Sequence, residues 1–81
     1  MARGYEFPTP VKDKEKLSRE VVGIATNHRF NVDYFPDRMV LKGKETEYII
    51  TSWGISEIGK PNPAYEEFKS VIKPLVGVAH G

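Results

Sequence analysis

The segment that decides the fold is TEYIITSW, residues 46–53. It is rich in β-branched and aromatic residues, a composition typical of a strand. Tyr48, Ile49 and Ile50 are consecutive, so apolar side chains point to both faces of this strand. A strand with one face in water alternates apolar and polar residues instead. The segment therefore predicts a strand with apolar neighbours on both sides of its sheet.

Two shorter strands precede this segment. Residues 30–34 alternate apolar with polar side chains, and residues 38–42 show the same period of two. Turn-forming residues occupy positions 36–37 and 43–45 between the strands. Short turns join antiparallel neighbours, so the sequence predicts an antiparallel meander of three strands.

A first helix is predicted over residues 12–28. Apolar side chains recur every three to four positions from Leu17 to His28, with charged side chains on the opposite side. Either Thr9, which precedes a proline, or Asp13 can supply the N-cap. The asparagines at 27 and 31 predict the end of the helix, because asparagine tolerates the left-handed conformation.

A second helix is predicted to begin at Asn62–Pro63, an N-cap residue followed by a proline suited to the first helical position. It is predicted to end near Lys73, because Pro74 lacks the N–H that would continue the helix. The intervening residues 54–61 contain two glycines and a proline and are predicted to form a loop.

The predicted organisation is one α+β domain over residues 12–81, with a helix, a three-stranded antiparallel sheet and a helix packed as a two-layer sandwich. Residues 1–11 are predicted to form an extended arm whose aromatic side chains lie against that domain. Two short helices cover only one face of a sheet. We expect either the arm and the C-terminal tail, or another subunit or partner protein, to cover the second face.

Composition excludes several classes of protein. The chain has 81 residues and no cysteine, so it has no disulfide and no thiolate metal site. No apolar run approaches the ~20 residues of a membrane-spanning helix, and we expect a cytoplasmic protein without membrane contact. The formal net charge of +1 lacks the basic excess of a dedicated nucleic-acid binder. No glycine-rich phosphate-binding loop is present, and no cofactor is expected.

The residues that most resemble a catalytic or metal-binding group are His28 with Asp33 or Asp37 downstream. Imidazole and carboxylate groups bind metals and transfer protons near pH 7. A metal site needs three or four ligands, however, and these residues show no ligand spacing. A histidine in the last turn of a helix is favoured by the helix dipole alone. We therefore expect a structural His28, no metal site and no enzymatic activity.

The first functional hypothesis is a small non-catalytic protein-interaction module with an adaptor, regulatory or accessory role. It would act through a face or edge of the sheet and bind either a partner protein or a second copy of the chain. The predicted contact residues lie on the first and third strands and their ends. They are Tyr34, Phe35, Ile49, Thr51 and Trp53.

The alternative hypothesis is nucleic-acid binding, in particular RNA, through a basic and aromatic surface of the sheet. Double-stranded-RNA-binding domains share the predicted element order, but their last helix begins with lysines. Here that helix begins with Glu66 and Glu67, which repel phosphate. The predicted nucleic-acid contacts are Arg29, Arg38, Lys42 and Lys44.

Overall fold

A computed structural model of the protein describes residues 2–76. Within this range the chain forms five strands, two α-helices and a final 3₁₀ turn. In chain order these elements are β1 (Ala2–Glu6), α1 (Lys14–Asn27), β2 (Asn31–Tyr34), β3 (Met39–Lys42), β4 (Thr46–Ile50), β5 (Gly54–Gly59), α2 (Ala64–Ile72) and the turn Lys73–Leu75. Neither helix is long and apolar enough to cross a membrane.

The strands form one antiparallel sheet in the order β1-β5-β4-β3-β2. The predicted α+β class and the central meander are confirmed, but the third strand ends at Ile50 and not at the predicted Trp53, because residues 51–53 form a turn. The prediction of only three strands is wrong. The sheet has two further strands, which come from the predicted arm and the predicted loop, so the strict order of helix, three strands and helix is also wrong.

The predicted loop at residues 54–61 contains β5. Its inward positions are Ile55, which is buried, and Glu57, which is 2% exposed. A glutamate at an inward position breaks the apolar alternation by which strands are recognised, and the flanking glycines are typical of loops. Gly59 does end the strand, with a φ of 97° that favours glycine.

The predicted arm is structured in two parts. Residues 2–6 pair with β5 as an edge strand, and Phe7 and Val11 are buried in the core. The backbone N–H of Phe7 donates to the Trp53 carbonyl at 2.9 Å, and that of Val11 donates to Ser52 at 2.8 Å. The arm therefore widens the sheet instead of covering its second face.

Both helices pack on one face of the sheet. On β4, Tyr48 and Ile50 are buried, whereas Ile49 points to the opposite face and is half-buried. The strand register places Leu41 beside Tyr48, and Ile55 beside Ile50. All four belong to one core cluster with the buried side chains of both helices. The layering of helices on one sheet face is thus present, around a wider sheet than predicted.

The second face of the sheet is not covered by a helix or by the arm within residues 2–76. Part of the predicted packed tail, Leu75 and Val76, lies against the helix-side core. Residues 77–81 of that tail lie outside the described residues. Val40 pairs with Ile49 on this second face and is also buried, although it is not part of the core cluster.

The helix ends follow local chemistry. The Asp13 carboxylate accepts the Lys16 backbone N–H at 3.0 Å, so Asp13 is the N-cap of α1. Arg29, not either asparagine, adopts the left-handed conformation after α1, with a φ of 62°. The Asn62 side chain accepts the Ala64 N–H at 2.9 Å where α2 begins. The regular helix ends at Ile72, next to the predicted Lys73.

Candidate interaction surface

Two hairpin turns lie at the same end of the sheet. Residues 35–38 join β2 to β3 and residues 51–54 join β4 to β5, and these four strands are consecutive neighbours. Each turn closes with a backbone hydrogen bond of 2.9 Å, from Phe35 N–H to Arg38 O and from Thr51 N–H to Gly54 O. Because adjacent antiparallel strands alternate in direction, the two turns project from one end.

Three aromatic side chains are exposed at this end. Tyr34 is 63% exposed, Phe35 is 44% exposed and Trp53 is 65% exposed. A fourth large apolar side chain, Ile58, is 43% exposed but lies on β5 near the opposite end. The group of Tyr34, Phe35 and Trp53 is termed the aromatic end below. It concentrates exposed aromatic surface where the hairpins leave the sheet.

A groove of about 180 Å³ lies between the β2–β3 hairpin and the start of α1. Its floor is formed by the buried core side chains Leu17, Met39 and Ile50, and its rim includes Tyr34 and Phe35. The groove therefore opens directly onto the core.

Arg38 covers part of this rim. Its guanidinium group lies 4.4 Å from the centre of the Phe35 ring and donates to the Asp37 carboxylate at 2.9 Å. Asp37 therefore balances the charge of Arg38, and Lys14 adds a further cation to the lining of the groove.

The five predicted contact residues fall on two adjoining surfaces. Tyr34 and Phe35 line the groove beside α1. Ile49 and Trp53 line a shallow depression on the second face of the sheet, which carries no helix within residues 2–76 and is termed the open face below. Thr51 lines both and accepts the backbone N–H groups of Trp53 and Gly54 at 3.0 and 3.2 Å. The structure thus brings four of the five to one end of the sheet, with Ile49 further along the open face.

The four predicted nucleic-acid contacts do not form one surface. Arg29 and Lys44 line a depression at the end of the sheet opposite the aromatic end. Arg38 lies at the aromatic end, paired with Asp37, and Lys42 lies 4.0 Å from the Asp33 carboxylate. The cations are therefore separated, and two of them have acidic neighbours.

His28 joins the two helices. Its Nε2 atom lies 2.8 Å from the Glu67 carboxylate of α2. The carboxylate that it contacts is therefore not one of the two considered from the sequence, Asp33 and Asp37. In the part of the chain that the structure describes, no three metal-ligating side chains come together.

A buried polar network at the β1 edge of the sheet is not predicted by the sequence. The Glu57 carboxylate accepts hydrogen bonds from Arg3 Nε at 2.5 Å and from the Tyr48 hydroxyl at 2.6 Å. It also accepts the Asn62 backbone N–H at 3.1 Å. The Arg3 guanidinium lies 4.1 Å from the centre of the Tyr65 ring on α2. The group of Arg3, Tyr48 and Glu57 is termed the β1 latch below.

These contacts set the ionisation of the latch. Burial is the largest influence on Glu57 and raises its pKa, but the hydrogen bonds from Arg3, Tyr48 and the Asn62 amide hold that pKa below its ordinary value of 4.5. Burial, followed by the hydrogen bond to Glu57, raises the pKa of Tyr48 well above its ordinary value of 10.0. Near pH 7 the latch therefore contains an ionised carboxylate and a neutral phenol. Because three residues donate four hydrogen bonds to the carboxylate, its role is structural.

No protein-family model, curated protein or solved structure matches the chain. Function must therefore be inferred from the surfaces just described.

Proposed function

We propose that the protein is a non-catalytic interaction module with an adaptor, regulatory or accessory role, which binds a partner protein through the aromatic end. One observation supports the proposal above all. Three of the four large apolar side chains exposed within residues 2–76 lie at this end of the sheet. Exposed aromatic side chains are enriched at protein interfaces because they bury large areas with little loss of rotamer entropy.

The groove beside the aromatic end indicates the kind of contact. Its volume of about 180 Å³ is below the ~300–1,000 Å³ typical of small-molecule pockets. A floor of core side chains with an aromatic rim suits a single apolar side chain inserted from a partner. We propose that the partner anchors one large aliphatic or aromatic residue there, beside contacts to Phe35 and Trp53.

Nucleic-acid binding is the weaker candidate. Phosphate binding depends on several uncompensated cations along one surface. Arg38 and Lys42 each have an acidic neighbour, and Arg29 and Lys44 lie at the far end of the sheet. No feature of the described residues favours this candidate over a protein partner.

The proposal is tested by quantitative capture from a lysate of the native cells. The immobilised baits are the wild-type chain, Phe35→Ser, Trp53→Ser and the control Ile58→Ser. The control removes an exposed apolar side chain away from the aromatic end. We expect at least one protein to be retained by the wild type and the control, and reduced about tenfold by each of the other two substitutions, which corresponds to ~1.4 kcal/mol. Circular dichroism verifies that each variant is folded.

Two results would contradict the proposal. One is the absence of any retained protein, or retention that neither Phe35→Ser nor Trp53→Ser reduces. The other is retention that disappears after nuclease treatment and falls steeply with salt, which would favour the nucleic-acid candidate.

A further inference from the structure

Within residues 2–76, strand β2 has a sheet neighbour on one side only, β3. The Phe35 N–H donates to the Arg38 carbonyl, so residue 35 points its backbone groups toward β3. In an antiparallel pair, backbone groups alternate between the two sides of a strand. The strand register therefore points the N–H and C=O groups of Val32 and Tyr34 away from the sheet. This edge presents two donors and two acceptors to a further strand.

The side chains along the edge divide between the two faces. Val32 and Tyr34 lie on the helix side. Tyr34 lines a shallow groove there with four residues of α1, which are Val22, Ser18, Glu15 and Arg19. On the open face, Asp33 is exposed, and the Lys42 ammonium lies 4.0 Å from its carboxylate. An added strand would therefore meet the apolar Val22 and Tyr34 between charged side chains on the helix side, and a carboxylate with one distant cation on the open face.

A second copy of this chain fits the edge poorly. Two β2 strands use all four outward groups when Val32 of each pairs with Tyr34 of the other. That register places the two Asp33 side chains directly opposite each other on the open face. Like charges at opposed positions destabilise a strand pair, and charged side chains on edge strands oppose self-association.

We propose that β2 accepts an extended segment of a partner protein as a sixth, antiparallel strand. This inference rests on the interaction function proposed above and specifies the partner. The segment carries a lysine or arginine opposite Asp33, and apolar residues on either side of it that enter the groove beside Val22 and Tyr34. Strand addition of this kind takes its affinity from backbone hydrogen bonds and its specificity from alternate side chains. Tyr34 belongs both to this edge and to the aromatic end, so one partner can use both.

The test uses the full ¹⁵N-labelled chain and two capped seven-residue peptides. In one peptide valine alternates with lysine, and in the other valine alternates with glutamate. We expect the lysine peptide to shift the amide signals of Val32 and Tyr34 and to slow their hydrogen exchange. The glutamate peptide is expected to bind more weakly, by a factor of up to about five, because it brings like charge to Asp33.

Two variants sharpen the test. Val32→Pro removes an outward N–H and leaves the N–H groups of Asn31 and Asp33, which point toward β3, in place. It should abolish the response to the lysine peptide. Asp33→Asn removes the edge charge and should bring the two peptides to within about twofold of each other, while the sedimentation mass of the variant rises with concentration.

The inference is overturned if the wild-type chain binds both peptides equally, or if millimolar lysine peptide leaves the Val32 and Tyr34 amides unchanged. The peptide result does not depend on whether Val32→Pro folds. Capture that depends on Phe35 and Trp53 combined with a negative peptide titration would refute strand addition alone. Capture that is independent of Phe35 and Trp53 would instead refute the aromatic end as the surface that binds the partner.

Discussion

The two edges of the sheet differ in how they are held. At one edge, Arg3 of β1 reaches across to the buried Glu57 of β5 and lies over the Tyr65 ring of α2. At the other edge, Tyr34 of β2 is 63% exposed, and the Asp33 carboxylate has an exposed neighbour in the Lys42 ammonium, 4.0 Å away. Among residues 2–76, both strands are short and lie at the edges of the sheet, yet only β1 is held by a charged network that reaches the core.

This difference separates an edge that stabilises the fold from the edge that we propose for recognition. The latch side has a buried carboxylate that accepts hydrogen bonds from three residues, and the adjoining Phe7 and Val11 complete the core. A small domain without disulfides depends on such contacts, because its core alone gives a narrow margin of stability. The β2 side adds little to the core and keeps its aromatic side chains and backbone groups accessible.

The most direct way to break the comparison is to remove the latch. Arg3→Met leaves the Glu57 carboxylate buried without its ionic partner, which destabilises the fold. Because the Arg3 side chain is itself 44% exposed, solvent screens part of this ion pair. We expect the free energy of unfolding, measured by urea titration, to fall by clearly more than in the matched control. A matched control is Arg19→Met, which removes an exposed arginine on α1 and should change stability by less than ~0.5 kcal/mol.

The double variant Arg3→Met with Glu57→Gln shows whether the loss comes from the pair. A neutral amide at position 57 no longer leaves a buried charge, so the double variant should be more stable than Arg3→Met alone. If the two substitutions are simply additive, the latch does not act as a coupled pair, and the contrast between the edges fails.

A second, smaller effect is expected from pH. The pKa of Glu57 is lowered in the folded state, so its contribution is fully present above the ordinary value of 4.5 and is lost as pH falls through the folded pKa. Between about pH 7 and about pH 3, the wild type should therefore lose more stability than Glu57→Gln. If the difference in free energy of unfolding between the wild type and Glu57→Gln stays constant or widens as the pH falls, the ionisation assigned to Glu57 is wrong.

The two helices and strands β2 to β4 could be predicted from the sequence, whereas β1, β5 and the β1 latch that joins them could not. Helical periodicity and alternation identify α1, α2 and strands β2 to β4. Strand β5 was missed because Glu57 occupies an inward position that the pattern requires to be apolar. Its partner Arg3 lies 54 residues away along the chain. Nothing local to either residue indicates that they meet, and β1 was missed for the same reason.

The sequence names the residues of the aromatic end but not their grouping. Tyr34, Phe35 and Trp53 are predicted contacts because they are large apolar residues on or beside the predicted first and third strands. Their grouping depends on strand order, since the turns after β2 and β4 meet at one end only when β3 lies between those strands. Ile49 was assigned to the same set from strand composition alone, and it lies apart on the half-buried open face.

The smallest expected change in stability comes from substitutions at the β2 edge. Tyr34→Ser removes a side chain that is 63% exposed, and Phe35→Ser removes a ring whose described polar contact is the exposed Arg38 guanidinium 4.4 Å away. Exposed cation–π contacts contribute about 0.5–1 kcal/mol. Each substitution should therefore lower the free energy of unfolding by no more than ~1 kcal/mol, with Tyr34→Ser near zero. Urea titration beside Arg3→Met makes the comparison direct. If either substitution costs as much as Arg3→Met, the β2 edge supports the fold as strongly as β1 does, and its aromatic side chains are retained for stability and not for a partner.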